Sequence, residues 1–300
     1  MKKRIGRDAL NYFDTARLLL PEKYRVSLCA AGVCDAEELR LRTNRPLSCL
    51  AAGHETEIDG SAISEGDILF ALERATGASM HSAADSLKAG FVSYRGLRIG
   101  VCGEAVTEAG KIVGFRHYSS LCIRIPHVCE GCCGELTGEL FRGGMENTLI
   151  IAPPGVGKTT ALRELIRTAA DRGMRVGVVD ERNELSGTDR GAAAFSLGRC
   201  ADVLVHTPRH EGAVLLLRGM SPELIAMDEI RRREDIAALR EICGCGVKLL
   251  ATAHAASLAD MQKRSVYREL LNDGIFQRLV TIQIANGVRH YDHRRLPCSD

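Results

Sequence analysis

Residues 149–160 read LIIAPPGVGKTT, and no other stretch restricts the fold of this chain as much. The apolar run Leu149-Ile150-Ile151 leads into a Pro/Gly turn and then Gly157-Lys158-Thr159. A helical pattern follows from Thr160 through Leu162, Leu165 and Ile166. Strand, glycine turn and helix in this order are the setting in which such a spelling is a P-loop. The turn's backbone N–H groups can wrap a phosphate, and the helix N-terminus adds its partial positive charge. The reading places Pro153, Pro154, Gly155, Val156, Gly157, Lys158, Thr159 and Thr160 around the phosphates of ATP. Lys158 reaches the β- and γ-phosphates, and the Thr159 hydroxyl holds Mg²⁺. Ala152 stands where the pattern usually has its first glycine, which is tolerable if that position needs no positive φ. The competing reading is a glycine-rich strand–helix turn with a chance Lys-Thr.

The sequence around this stretch alternates strands and helices. Residues 174–179 (MRVGVV) read as a buried strand ending at Asp180-Glu181-Arg182-Asn183-Glu184. Carboxylates at the C-terminal end of such a strand face the crevice where α/β sheets bind ligands; otherwise they belong to a solvated loop. Residues 201–205 read as a short strand and 211–220 as an apolar helix. Leu224–Met227 is a further strand that ends in Asp228-Glu229, the Walker B spelling. There Asp228 is placed on the Mg²⁺ hydration shell, and Glu229 orients or activates the attacking water. A helix is expected over 235–243. The strand Val247–Ala251 ends in Thr252-Ala253-His254, polar groups suited to sensing a γ-phosphate. A helix over 258–271 and a hairpin turning at Asn286-Gly287 complete the region. The fold class expected is α/β: a mostly parallel, RecA-like P-loop NTPase domain closed by an antiparallel hairpin.

Residues 1–126 have a different texture. A short helix ends before Pro21. Glu38–Arg42 alternates as a strand, a turn follows, and residues 47–51 return as a second strand. Ser64-Glu65-Gly66-Asp67 opens a helix toward Gly77, with Ser64 as N-cap; another helix is expected over 79–87. Four short β runs then fill 91–125. The expected division is a smaller α+β domain over 1–126, a linker over 127–143 and the ATPase domain over 144–300. Arg40 and Arg42 suit a solvated strand face, and of Arg95, Arg98, Arg116 and Arg124 one could reach a nucleotide.

The chain of 300 residues has 45% hydrophobic and 26% charged residues, enough for a packed core and against wholesale disorder. Its net charge of +2 exerts no general pull on nucleic acid or membrane. No apolar run approaches the roughly 20 residues of a membrane span, and no apolar core follows the basic Met1–Arg4. Twelve cysteines are many, but the pattern is not that of a small disulfide-stapled domain, so a reducing compartment and mostly free thiols are expected. Cys129, Cys132 and Cys133 beside His127 suggest half of a zinc site. The distant Cys243-Gly244-Cys245 is badly spaced to complete it, so reduced thiols in a turn are preferred.

The order APPGVGKTT, VVDERNEL, EGAVLLLRGMSPELIAMDEIRRRED and ATAHA resembles the stage III sporulation protein AA family of endospore-forming bacteria. More distantly it is similar to the secretion and pilus-motor ATPases of type II and type IV systems. ELRLRTNRPL and SLCIRIP in the first region agree with this. The resemblance implies that Asp180, Glu181 and Glu184 form an acidic box and that His254 lies in a histidine box. It also implies that Glu229 is the catalytic glutamate and that Arg124 contacts nucleotide phosphates from the first domain. Asp228 stands where secretion ATPases often have glycine, which implies metal handling closer to that of generic RecA-like ATPases. The implied setting is cytoplasmic, on the mother-cell side, docked peripherally on the forespore membrane through membrane-embedded channel proteins. Motor-class members are ring hexamers, so a homo-oligomer is implied.

The leading expectation is therefore an ATP-hydrolysing motor that energises a channel between mother cell and forespore. A RecA-like ATPase acting on nucleic acid is the alternative. It needs stacking platforms, and aromatics are 4% of the chain with no tryptophan. An ATP-binding scaffold without turnover is a third reading, disfavoured by the intact Lys158, Thr159, Asp228 and Glu229.

Overall fold

The computed structural model describes residues 12–51, 53–58, 60–77, 83–126, 131–188, 191, 193–285 and 288–297. The chain divides into two compact units, residues 1–127 with 187–194, and residues 128–186 with 195–300.

In the first unit, α1 (Tyr12–Leu19) and α2 (Glu22–Ala30) precede three strands, β1 (Glu38–Arg42), β2 (Ser48–Ala51) and β3 (His54–Glu57). Two helices follow, α3 (Glu65–Ala75) and α4 (Ala84–Lys88), then β4 (Phe91–Tyr94), β5 (Leu97–Glu108) and β6 (Lys111–Arg124). The strands form one antiparallel sheet in the order β3-β2-β1-β6-β5-β4. The alternation in ELRLR works as period two requires: Leu39 and Leu41 are fully buried, while Arg40 and Arg42 stand on the other face. The two last β runs expected from sequence are one continuous strand, β6. Its pairing with β5 absorbs three register shifts, and at the first of them Gly103 is obligatory, since a Cβ there would lie 1.8 Å from the His117 carbonyl oxygen.

Helix α3 starts as its sequence requires. Ser64 Oγ accepts from the Asp67 N–H (3.2 Å), and the Asp67 carboxylate accepts from the Ser64 N–H (2.9 Å), a capping box. Asp67 also accepts from Ser64 Oγ, Lys23 Nζ and the buried Tyr24 hydroxyl, at 2.7, 2.9 and 3.0 Å. Burial pushes its carboxyl up, but these donors outweigh burial and bring it down to about 2. The carboxylate therefore stabilises the unit fully above its unfolded pKa near ~4, and the contribution is lost as the pH falls toward the folded value. Asp67→Asn should cost about 1–3 kcal/mol near neutral pH, and denaturant titrations at pH 6 and pH 3 should show the gap between variant and parent closing on acidification.

In the second unit, α5 (Gly134–Leu140) leads to β7 (Thr148–Ala152), α6 (Lys158–Asp171), β8 (Val176–Asp180), β9 (Ala201–Val205), α7 (Arg209–Met220) and β10 (Leu224–Met227). Then come α8 (Arg233–Gly244), β11 (Lys248–His254), α9 (Leu258–Lys263), α10 (Ser265–Asn272), β12 (Arg278–Ala285) and β13 (Val288–Arg295). The sheet order is β13-β12-β7-β11-β10-β8-β9, parallel throughout except for the β12–β13 hairpin at one edge. Asn286 and Gly287, expected at its turn, lie outside the described residues. The inner strands are apolar on both faces because helices cover both. Ile150, Val178, Ala226 and Leu250 pack with α5 and α6, while Leu149, Ile151, Ile225, Met227 and Leu249 pack with α7, α8 and α10.

Two sequence expectations need correction here. Residues 134–140, expected within a linker, are helix α5, and Leu136 and Leu140 are buried against β7 and α6 because i, i+4 leucines share a helix face. The helix expected over 258–271 breaks at Arg264, which is extended (φ −100°, ψ 125°) and donates through Nη1 to the His254 carbonyl at 3.0 Å. Among the described residues of 181–200, which lead from β8 to β9, there is no helix. Among the described residues no helix is long and apolar enough to cross a membrane.

Candidate functional site

Four parallel strands, β7, β8, β10 and β11, end on one edge of the sheet, and the singled-out residues of the second unit gather there. After β7 the chain turns through Pro153-Pro154-Gly155-Val156-Gly157 and enters α6 at Lys158. Gly155 (φ 78°) and Gly157 (φ 109°) occupy left-handed backbone, so both glycines of the motif are conformational requirements. Ala152 is the fully buried last residue of β7 and has no positive φ, which explains why alanine serves in place of the usual glycine. Helix α6 has no acidic residue in its first turn and no side-chain cap, so its N-terminal partial charge is not countered by its own residues. The buried Lys158 donates to the carbonyls of Ala152 (2.8 Å) and Pro153 (2.9 Å). Burial pushes its ammonium below the usual lysine value, partly offset by the charges of Asp228 and Glu229. Thr160 is half-buried on α6.

Thr159 Oγ1 donates to Asp228 Oδ2 at 2.8 Å, joining the head of α6 to the end of β10. The other Asp228 oxygen accepts a hydrogen bond from the hydroxyl of Thr252, which is fully buried on β11, and Thr252 Oγ1 accepts from the Glu229 N–H at 2.8 Å. Thr252, read from sequence as a phosphate sensor, is thus a strut that fixes both carboxylate residues. Glu229 has φ 64°, an unusual backbone for a residue with a side chain. His254 Nε2 lies 2.6 Å from Glu229 Oε1, and Arg182 Nη1 lies 3.0 Å from Oε2. Burial pushes the Glu229 carboxyl up, but the His254 hydrogen bond and the charges of Arg182, His254 and Arg209 prevail, holding it below the usual glutamate value.

Arg209 was not singled out in the sequence. It starts α7, is 4% exposed, pairs with Glu181, stands 3.7 Å from Glu229 and donates to the Asp228 carbonyl. Its neighbours Pro208 and Glu211 mark a helix start, but nothing in the local pattern marks a buried guanidinium. The acidic stretch divides by role. Glu181 joins the cluster through Arg209. Asp180, by contrast, is 2% exposed and spends its oxygens on the N–H groups of Glu184, Leu185 and Ser186 and on the Ser186 hydroxyl. Its oxygens staple the loop that follows β8, satisfying the backbone N–H groups of that loop. Glu184 enters this loop through its backbone, its carbonyl accepting from Arg163 at 2.8 Å.

Arg124 ends β6 in the first unit, where its exposed side chain pairs with Glu38 at 3.3 Å. Of the cysteine cluster, His127 and Cys129 lie outside the described residues. Cys132 and Cys133 stand with their sulfurs 3.5 Å apart, and the neighbouring thiol together with burial pushes Cys133 up. Among the described residues no three His, Cys, Asp or Glu side chains are placed to hold a metal ion together.

This architecture is the RecA-like α/β fold. The structure of the Legionella pneumophila ATPase DotB superposes with a TM-score of 0.63 at 15% identity, covering 93% of this chain and 83% of that one. The pilus retraction motor PilT, solved with bound ADP, superposes at 0.60 and 14% identity, covering 89% and 80%. Within that class the sequence is more specific: the model of the family "Sporulation stage III, protein AA" matches residues 24–291. The stage III sporulation protein AA of Bacillus subtilis (strain 168) is 36% identical over 259 residues, 84% of each chain. The chain belongs to the sporulation stage III protein AA family.

Proposed function

We propose that this chain binds and hydrolyses ATP and works as a motor on a channel complex between mother cell and forespore. The observation that carries the reading is the convergence of Lys158, Thr159, Asp228, Glu229 and His254 at one sheet edge, linked by Thr159–Asp228 (2.8 Å) and His254–Glu229 (2.6 Å). Glycine backbone, a helix N-terminus and a desolvated ammonium suit a polyphosphate. The hydroxyl of Thr159 and the carboxylate of Asp228 are hard oxygen donors of the kind Mg²⁺ takes. Bound there, the ion would neutralise charge on the β- and γ-phosphates.

In this mechanism Lys158 exchanges the Ala152 and Pro153 carbonyls for phosphate oxygens, a stronger charge-assisted bond. Glu229 is ionised at neutral pH and accepts a hydrogen of the attacking water. With its carboxyl below the usual value it is a weak base, so its main contribution is orientation. His254, Arg182 and Arg209, the last itself held by Glu181, keep it in place. Positioning and charge neutralisation then supply most of the rate.

The family supports the sporulation setting and the class of fold supports a motor. The site of work is read as the cytoplasmic, mother-cell side of the forespore membrane, with membrane-embedded channel proteins as partners. The active form is read as a homo-oligomeric ring of six. Arg124 is read as a phosphate-contacting arginine whose planar guanidinium neutralises charge on the γ-phosphate. The test joins these claims. In an oligomer confirmed by light scattering with Mg²⁺ and ATP, Arg124→Ala should hydrolyse ATP more slowly, by up to ~10³-fold if it acts as an arginine finger, while still binding ATP. Hydrolysis at the parent rate would leave Arg124 as a surface residue.

A further inference from the structure

We propose that Arg289 is a phosphate-binding residue, delivered to the nucleotide turn of its own chain by the edge hairpin. The inference rests on reading residues 152–160 as that turn. Strand β12 lies parallel beside β7, the strand that runs into the turn, and β13 returns antiparallel along its outer edge with Arg289 opposite Ile284. This carries the Arg289 side chain onto the turn, where Nε donates to the Val156 carbonyl at 3.0 Å. The guanidinium lies over Gly157: a Cβ built there would stand 2.9 Å from Nε and 3.5 Å from Cδ and Cζ. Gly157 is therefore needed twice, for its left-handed backbone and for the space the arginine occupies.

The charge balance shows what such a group is for. Two other arginines of the hairpin, Arg278 and Arg295, both pair with Glu146, at 2.5 and 2.9 Å. Among the described residues Arg289 has no carboxylate partner, and its Nη groups make no hydrogen bond. The turn it reaches carries the N-terminus of α6, with no acid in its first turn, and the ammonium of Lys158, whose charge Asp228 and Glu229 only partly offset. The exposed Arg289 adds positive charge to a turn where the carboxylates offset it only in part, and such a turn favours an anion. Its planar fork has donors left over once Nε has bonded Val156, and these match two oxygens of a phosphate. Arg289 is exposed, so the guanidinium has room to turn from the carbonyl toward a ligand; the open cavity of about 660 Å³ that it also lines, with Cys132, Glu139, Tyr291 and His293, includes no residue of the turn itself.

The test is competition of ATP and of inorganic tripolyphosphate against a fluorescent ATP analogue on the full chain, for the parent, Arg289→Gln, Arg289→Lys and Lys158→Ala. Glutamine can still donate to the Val156 carbonyl but has no charge. Arg289→Gln should lose about tenfold or more in affinity for both competitors. The loss should shrink as salt rises, and Arg289→Lys should recover part of it. Parental affinity of Arg289→Gln for both competitors would overturn the proposal and leave Arg289 as a tether of the turn. A loss for ATP with tripolyphosphate unaffected would also overturn it, moving the contact to the nucleoside. If Arg289→Gln lowers the melting temperature without ligand, the salt dependence of Arg289→Lys against the parent decides in its place. Undiminished binding by Lys158→Ala marks a different failure, that of the nucleotide reading itself.

Discussion

Replacing Lys158 by alanine should abolish ATP binding, with affinity for a fluorescent ATP analogue falling by about a hundredfold or more. The reason lies in how the lysine is held. Its ammonium is buried and rests on the carbonyls of Ala152 and Pro153, and burial weakens its hold on the proton. Phosphate oxygens offer that buried charge the partner that two neutral carbonyls do not. Alanine removes the charge while leaving Gly155 and Gly157 in their left-handed backbone, so the turn keeps its shape and the loss is one of affinity. Unchanged affinity in this variant, with the fold intact by circular dichroism, would remove the P-loop assignment.

Glu229→Gln should do the opposite: ATP binding persists, and hydrolysis slows by about 10²–10⁴-fold. Glutamine keeps the length of the side chain and can hold the same backbone conformation, but it cannot accept a proton or orient water as a carboxylate does. Near-parental turnover would move the catalytic role to Glu181 or Glu184. The pH profile gives a second handle. Because His254, Arg182 and Arg209 hold the Glu229 carboxyl below the ordinary glutamate value, it stays ionised on mild acidification. A rate loss already complete near pH 6 in the parent must then come from another group.

Much of the second unit was legible because its signals are local. An apolar run before a glycine turn must be a strand entering a loop, and Asp228-Glu229 after Leu224–Met227 must stand at a strand end. In a parallel sheet such ends share one edge, so Lys158, Glu229 and His254 meet there. The rest depends on partners far along the chain. Arg209 is invisible as a site residue until Glu181 and the Asp228 carbonyl are brought against it. Asp180 looks like its acidic neighbours until the loop after it folds back and uses its oxygens. Helix α5 was hidden by a glycine- and cysteine-rich approach, although Leu136 and Leu140 carried its spacing. The break at Arg264 follows from a bond to the His254 carbonyl, which no helical periodicity contains. Arg289 looked like one more surface arginine of a hairpin until the strand order placed it on the P-loop turn.

The most direct measurement is phosphate release from ATP by the full chain with and without Mg²⁺, for the parent and Glu229→Gln at matched nucleotide occupancy. The account predicts steady, Mg²⁺-dependent release by the parent and release at least about a hundredfold slower from the saturated variant. Equal release from both proteins, or none from the parent while it is saturated with Mg²⁺ and ATP, would contradict it.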